Sequence, residues 1–347
     1  MTLDVRKIEY FFAVVEHRSI SSAAEALRVS QPTLSRQIHA LEQHFKAPLF
    51  VRHGRGVVPT EAGRRLQEGL RGLERHLRTL RDDVAAAAGA PSGEVAFGIP
   101  PSPRALLAVA IVHAFRSAYP NVGMRLSEQT SGDIRDLVAR GEVDLGIINS
   151  EEPTEGLISL RLASEPMLLV GPPEARLSLD TATPVARVAE LPLILTTKPN
   201  SLRRMVDRAL HQHKLRPHIQ VQANTLPLMT DLVARGLGFT VLPSCSVLGQ
   251  VKAGQLSASP LAGLRITWIV ARPANRNLSI AGRVLLDTVF RTTFALVEQG
   301  GWPLAQIEND CRTAVGGRVT PAGSGRRAGR APSRPRADGG DYSQLRY

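Results

Sequence analysis

The chain is poor in cysteine: 347 residues contain two, Cys245 and Cys311. One disulfide at most is available, and no Cys and His fall at metal-ligand spacing, so neither a disulfide-stapled secreted module nor a zinc module is expected. Long apolar runs are also lacking. The longest, Leu106 to Val112, is far short of the roughly 20 residues that span a bilayer. Near the N-terminus, Glu16, His17 and Arg18 interrupt Phe11-Phe12-Ala13-Val14-Val15 before a signal-peptide core can form. There is no Gly-x-Ser-x-Gly elbow, no phosphate loop and no metal-ligand cluster, and the nine histidines are scattered. These absences lead to the expectation of a cytoplasmic protein without membrane attachment, metal or cofactor, and not an enzyme.

What the chain has in excess is positive charge, +12 in total, which favours an anionic partner. Lys and Arg exceed Asp and Glu by four in each of residues 1–90, 91–300 and 301–347, so the excess is densest at the two ends. The length suggests two or three domains, each able to bury its own core.

Residues 19–50 point to the partner. Leu34, Ile38, Leu41 and Phe45 share one helical face, which must be buried. Pro32, Arg36, His39 and Gln43 occupy the opposite face, with Ser35 at its edge. Ser30 is a natural N-cap, and Pro32 falls in the first turn, where a missing N–H is harmless. A shorter helix with Ala23, Ala24, Ala26 and Leu27 precedes it, capped by Ser19. Two short helices joined by Arg28-Val29-Ser30 read as a helix-turn-helix, whose second helix enters the major groove of DNA. Leu3, Ile8, Phe11, Phe12 and Val15 form the stripe of a covering third helix. Val51 to Pro59 reads as a β-hairpin wing around a glycine turn, with Arg52 and Arg55 beside the duplex.

From Thr60 onward, Leu66, Leu70, Leu73, Leu77, Leu80 and Val84 follow a heptad seam, which suggests a helix pairing with a second chain. Pro91-Ser92-Gly93 then reads as a hinge. Short apolar strands alternate with helices from Glu94, the pattern of βαβ units on a parallel sheet. Candidate strands are 95–99, 123–127, 143–148, 167–170, 193–196, 219–223 and 239–242; candidate helices are 106–119, 134–140, 201–213 and 226–235. Asp136-Leu137-Val138-Ala139-Arg140-Gly141 recurs as Asp231-Leu232-Val233-Ala234-Arg235-Gly236, each time a helix end turned by glycine into a strand. Residues 300–347 lack apolar periodicity and read as a disordered basic tail, either a passive extension or a source of nonspecific attraction to DNA. Cys245 reads either as a small buried residue or as a redox sensor.

Ser22-Ala23-Ala24, Ser30-Gln31-Pro32, Leu34-Ser35, Leu41-Glu42, Leu49-Phe50, Arg52 and Thr60-Glu61-Ala62-Gly63 fall in one order at one spacing. Together they resemble the LysR-type transcriptional regulators. Gly98-Ile99-Pro100-Pro101-Ser102, Asp144-Leu145-Gly146-Ile147 and Gly236 to Pro243 extend the resemblance through the second region, and the nitrogen-assimilation-control branch looks nearest. Lys46 departs from the pattern, standing where the family usually has a glycine. The resemblance implies an α/β protein in four parts: a winged helix-turn-helix at 1–59, a linker and dimerisation helix with hinge at 60–92, a two-lobed effector domain like the periplasmic binding proteins at 93–299, and the tail at 300–347. It also implies double-stranded promoter or operator DNA, a small-molecule effector, RNA polymerase, and a homodimer or homotetramer as partners. Gln31, Pro32, Ser35 and Arg36 would face base edges and phosphates, with Arg52 and Arg55 positioning the duplex. An effector, expected to be a small organic anion, would meet hydroxyl and amide residues at strand-to-helix junctions: Ser102, Thr130, Ser131, Asn149, Thr197, Asn200, Ser201 and Thr225.

Overall fold

Helix caps set the first domain. The structure, a computed structural model, describes residues 4–53, 56–67, 69–70, 91–149 and 154–316. Asp4, Ser19 and Ser30 cap α1 (Val5–His17), α2 (Ile20–Ala26) and α3 (Gln31–Phe45), each side chain accepting a first-turn N–H at 3.2–3.4 Å. The three helices bury Ile8, Phe11, Val14, Ala23, Ala24, Leu34, Ile38 and Leu41 in one core. Phe45 does not join them: at the last residue of α3 it is 40% exposed, its ring set edge-on to that of His44.

The wing follows as β1 (Phe50–His53) paired antiparallel with β2 (Gly56–Pro59). Several resemblance residues prove to be packing devices here. Glu42 accepts the Leu49 N–H at 2.9 Å and the Phe50 N–H at 3.3 Å, tying α3 to the wing. The Thr60 hydroxyl donates to the Pro48 carbonyl at 2.7 Å and accepts the Gly63 N–H at 3.0 Å. A Cβ on Gly63 would lie 2.1 Å from the Leu49 carbonyl oxygen, so only glycine lets the next helix, α4, start there. In α4, residues 61–67 and 69–70 are described. Leu66 and Leu70 of the expected seam pack on this domain's own core. Leu73, Leu77, Leu80 and Val84 lie outside the described residues, as does Arg55.

The second region opens with β3 (Gly93–Ile99), the single turn α5 (Pro101–Pro103), a π-helical turn (Arg104–Ala108) and α6 (Val109–Ala118). Then come β4 (Val122–Glu128), α7 (Ser131–Ala139), β5 (Leu145–Asn149), β6 (Leu157–Gly171), β7 (Leu193–Leu195) and α8 (Ser201–Gln212). The chain continues with β8 (Ile219–Gln222), α9 (Leu226–Ala234), β9 (Thr240–Pro243), α10 (Ser244–Lys252), β10 (Ser257–Pro273), α11 (Ile280–Glu298), β11 (Gln306–Ile307) and α12 (Asn309–Gly316). All seven expected strands appear, but the sheet is mixed rather than parallel. β3 pairs parallel with β4 and β5, and β7 with β8, whereas β6 and β10 run antiparallel to each other along almost their full length.

These two long strands create the lobes. Residues 157–166 of β6 pair with 265–273 of β10 beside β5; residues 168–171 pair with 257–260 on the other side of a register shift, beside β9. The sequence reading missed β10 because Pro260 and Gly263 break its alternation; Gly263, at φ 72°, sits in that irregularity. Both copies of the hexapeptide repeat end as expected, with Gly141 and Gly236 left-handed at φ 70° and 75°. Gly98 and Gly146 face each other across β3 and β5, where Ile134 of α7 would lie 2.8 and 2.4 Å from an added Cβ.

Residues 300–316 correct the expectation of a wholly disordered tail. β11 adds to β6, Asp310 accepts the Arg161 N–H at 2.8 Å, and Trp302 is fully buried. The pattern was unreadable because one tryptophan and one cysteine anchor the segment, without periodicity. Residues 317–347 lie outside the described ones.

Where the lobes join, Glu165 of β6 is fully buried. Its carboxylate accepts from Trp268 Nε1 at 2.6 Å, Trp302 Nε1 at 3.0 Å, the Cys245 N–H at 2.7 Å and the Ser244 hydroxyl. Those donors come from β10, the C-terminal segment and the first turn of α10, whose positive end adds to the attraction. Glu165→Ala should destabilise this region by about 3 kcal/mol or more, because each stranded buried donor costs about 1–3 kcal/mol; urea denaturation checks this. Lys46, the departure from the family pattern, caps α3 at φ 51°. Lys46→Gly should therefore raise the unfolding free energy of the first domain by about 1 kcal/mol, read by the same method.

Candidate functional site

On α3, the caps and the buried Leu34, Ile38 and Leu41 leave one row facing outward. Gln31, Pro32, Arg36, His39 and Gln43 are exposed and Ser35 is half-buried. Arg36 has no hydrogen-bond or ionic partner among the described residues, while His39 and Gln43 contact each other at 3.2 Å. A guanidinium, two amides and a proline ring thus lie along a helix of the width that enters a major groove. Arg52 sits on β1 opposite Val57; its side chain is outside the described residues.

The second site lies between the lobes. Strands β3, β5, β7 and β8 end there, and α7, α8 and α9 begin there, the arrangement that places ligands at the carboxyl ends of α/β strands. The cleft holds about 520 Å³ of free space, open mouth included. Six of the eight expected residues line it: Ser102, Thr130, Ser131, Asn149, Asn200 and Ser201. Thr197 and Thr225 do not, and each is one residue away from one that does. The Thr197 hydroxyl donates to Asn224 Oδ1 at 2.9 Å, leaving Thr196 and Asn224 on the cleft wall. The exact end of a strand decides such a choice, and composition does not reveal it. Trp268, Met229, Leu226 and Leu242 were missed as well, and they supply an apolar wall. Trp268 escaped because β10 itself was not recognised.

Two contacts organise the polar wall. Asn149 accepts from the Ser201 hydroxyl at 2.9 Å, joining the end of β5 in one lobe to the start of α8 in the other. Ser131 accepts the Asn149 N–H at 3.2 Å, fixing the amide from below. Thr130 and Asn200 are spent as caps on α7 and α8. Three cations nearby share two carboxylates. Arg203, buried at 9% exposure, donates to the Thr196 carbonyl and pairs with Asp207; Lys198 also pairs with Asp207, and Arg104 with Glu128.

Neither cysteine forms a disulfide, and both are buried. Burial, and then the Glu165 carboxylate, push the Cys245 thiol well above its usual range. Burial raises Cys311 to about 12.

Comparison with known proteins agrees with this layout. Residues 5–64 match the family model described as the bacterial regulatory helix-turn-helix protein, lysR family, and residues 88–293 match the LysR substrate binding domain. The nitrogen assimilation regulatory protein nac of Escherichia coli K12 is 26% identical over 307 residues, covering 87% of this chain and 99% of that one. The hydrogen peroxide-inducible genes activator of Escherichia coli O157:H7 is 28% identical over 245 residues, 71% of this chain and 80% of its own. Among solved structures, full-length CbnR complexed with its target DNA superposes with a TM-score of 0.63 at 19% identity, covering 84% of this chain and all of that one.

The thiols should be inert in the folded protein. Ellman's reagent at pH 7.5 is expected to titrate neither cysteine until denaturant is added, when both react. Because the folded state holds these protons more firmly, the stability they contribute is full below the ordinary thiol value of 9.0 and is lost as pH rises above it, for Cys311 towards about 12.

Proposed function

The chain belongs to the LysR-type transcriptional regulators, DNA-binding proteins with an effector-binding domain and not enzymes, and from that premise we propose how its residues divide the work. Gln31, Pro32, Ser35 and Arg36 read base edges in the major groove, Arg36 as a bidentate donor to guanine and Gln31 towards adenine. Arg52 and Arg55 of the wing hold phosphates and set register. The guanidinium on the outward row of α3 is the observation that carries this reading: every buried position of that helix serves the core, and this charge has no partner among the described residues.

The regulator works as a homodimer or homotetramer on an imperfect palindrome, with the seam Leu66, Leu70, Leu73, Leu77, Leu80 and Val84 assigned to pairing and RNA polymerase as the downstream partner. Leu66 and Leu70 contribute to their own domain's core too, so pairing rests chiefly on the last four. The effector is a small organic anion in the interlobe cleft. Binding there shifts the regulator only through different affinity for its two arrangements, and contact with both lobes supplies that difference. No helix among the described residues is long and apolar enough to cross a membrane, and the working place is the cytoplasm.

Arg36→Ala should weaken operator binding by about 1–3 kcal/mol and random-sequence binding much less, measured by fluorescence anisotropy against both duplexes. Equal losses would remove Arg36 from base readout. Arg52→Ala should weaken both duplexes alike and lower the salt dependence by roughly one ion.

A further inference from the structure

The turns around α3 hold charge at a cost to the fold. Five described residues other than glycine adopt positive φ: Arg18, Arg28, Lys46, Arg176 and Lys214. All five are cations. A side chain strains this conformation and glycine does not, so each such turn gives up stability that glycine would return. We propose that Arg18, Arg28 and Lys46, the three in the first domain, contact backbone phosphates on the strands that border the groove entered by α3; this rests on the reading of α3 as the recognition helix.

Placement carries the argument. Arg28, at φ 54°, stands in the turn two residues before the Ser30 cap of α3, and Lys46, at φ 51°, closes the other end of that helix. With 15 residues, α3 spans about 22 Å, against a major groove about 12 Å wide. A straight helix longer than the groove is wide outruns the curve of the duplex. Its end residues therefore come to the sugar-phosphate borders, while the outward row between them faces the bases. Arg18, at φ 50°, marks a third corner. Its carbonyl accepts the Val57 N–H of β2 at 2.8 Å, which sets it at the root of the wing, and a Cβ on Gly56 would lie 2.5 Å from that oxygen.

The three residues are exposed, and none pairs with a described carboxylate. Each is anchored by its own main chain: the N–H groups of Arg18, Arg28 and Lys46 donate to the carbonyls of Val14, Glu25 and Gln43 at 3.0, 3.0 and 3.3 Å. A charge carried on a fixed backbone loses less freedom on reaching a phosphate, which suits contacts that set register rather than read sequence.

Fluorescence anisotropy over a salt series, on the full-length protein with operator and random duplexes, tests the contacts alongside urea denaturation. Arg18→Gly, Arg28→Gly and Lys46→Gly should each weaken both duplexes about three- to tenfold and lower the salt dependence by about one ion per half-site bound. Each should also raise the urea midpoint of the first domain, so stability and affinity move in opposite directions. Lys214→Gly is the control: it relieves the same conformation and removes the same charge in the second region, and should leave DNA affinity unchanged. Arg18→Lys, Arg28→Lys and Lys46→Arg keep the charge and should keep the wild-type salt dependence. An unchanged salt dependence in all three glycine variants overturns the contacts, while base reading by α3 stands if Arg36→Ala still separates operator from random DNA. If Lys214→Gly loses as much affinity as the others, net charge rather than contact is responsible and the proposal fails. It fails equally if the charge-keeping variants lose as much as the glycine ones.

Discussion

A single buried carboxylate holds the effector domain together. Glu165 lies where β6 passes from one lobe to the other and draws donors from β10, α10 and the segment after α11. A fully buried charge is tolerable only when its lone pairs are all engaged by fixed donors, and here four of them converge. The constraint runs in both directions. Trp268 can serve as cleft wall while its indole N–H is held from behind, and α10 starts directly after β9 with its Cys245 N–H and Ser244 hydroxyl both donating to Glu165. Burial, and then the same neighbour, raise the Cys245 thiol well above its usual range.

The DNA-reading domain follows a different economy of contacts. Its caps are short polar side chains at Asp4, Ser19 and Ser30, and its sharp turns are taken by Arg18, Arg28 and Lys46 at positive φ. A left-handed conformation strains a side-chain-bearing residue by about 1–2 kcal/mol. Three cations held this way add positive charge around the recognition helix, so the positions that strain the fold also favour approach to DNA.

Much of this was legible in the sequence because local chemistry and tertiary role coincide. Ser30 and Pro32 announce the start of α3, and the hexapeptide repeat announces two helix ends that the backbone reproduces. The cleft was located to within one residue, since helix starts carry polar signals; the parity of Thr196 against Thr197 is a strand-end detail that propensity does not encode. Long-range features stayed hidden. β10 contains a proline and a left-handed glycine, and the role of Glu165 depends on partners 79 to 137 residues away. Phe45 fits the apolar period yet lies beyond the end of the core it was assigned to.

The C-terminal segment changes where this domain ends. The family resemblance closes at residue 293, but β11, Trp302 and α12 complete the wall of β6 and the shell of Glu165. A fragment cut at the family border would uncover main-chain donors and acceptors along β6, a ready template for pairing with a second fragment. It would also lose the indole that shields the buried carboxylate from water. An excised sensor should therefore keep residues 294–316, and insolubility of a fragment without them would speak of a missing closure rather than of an unstable design.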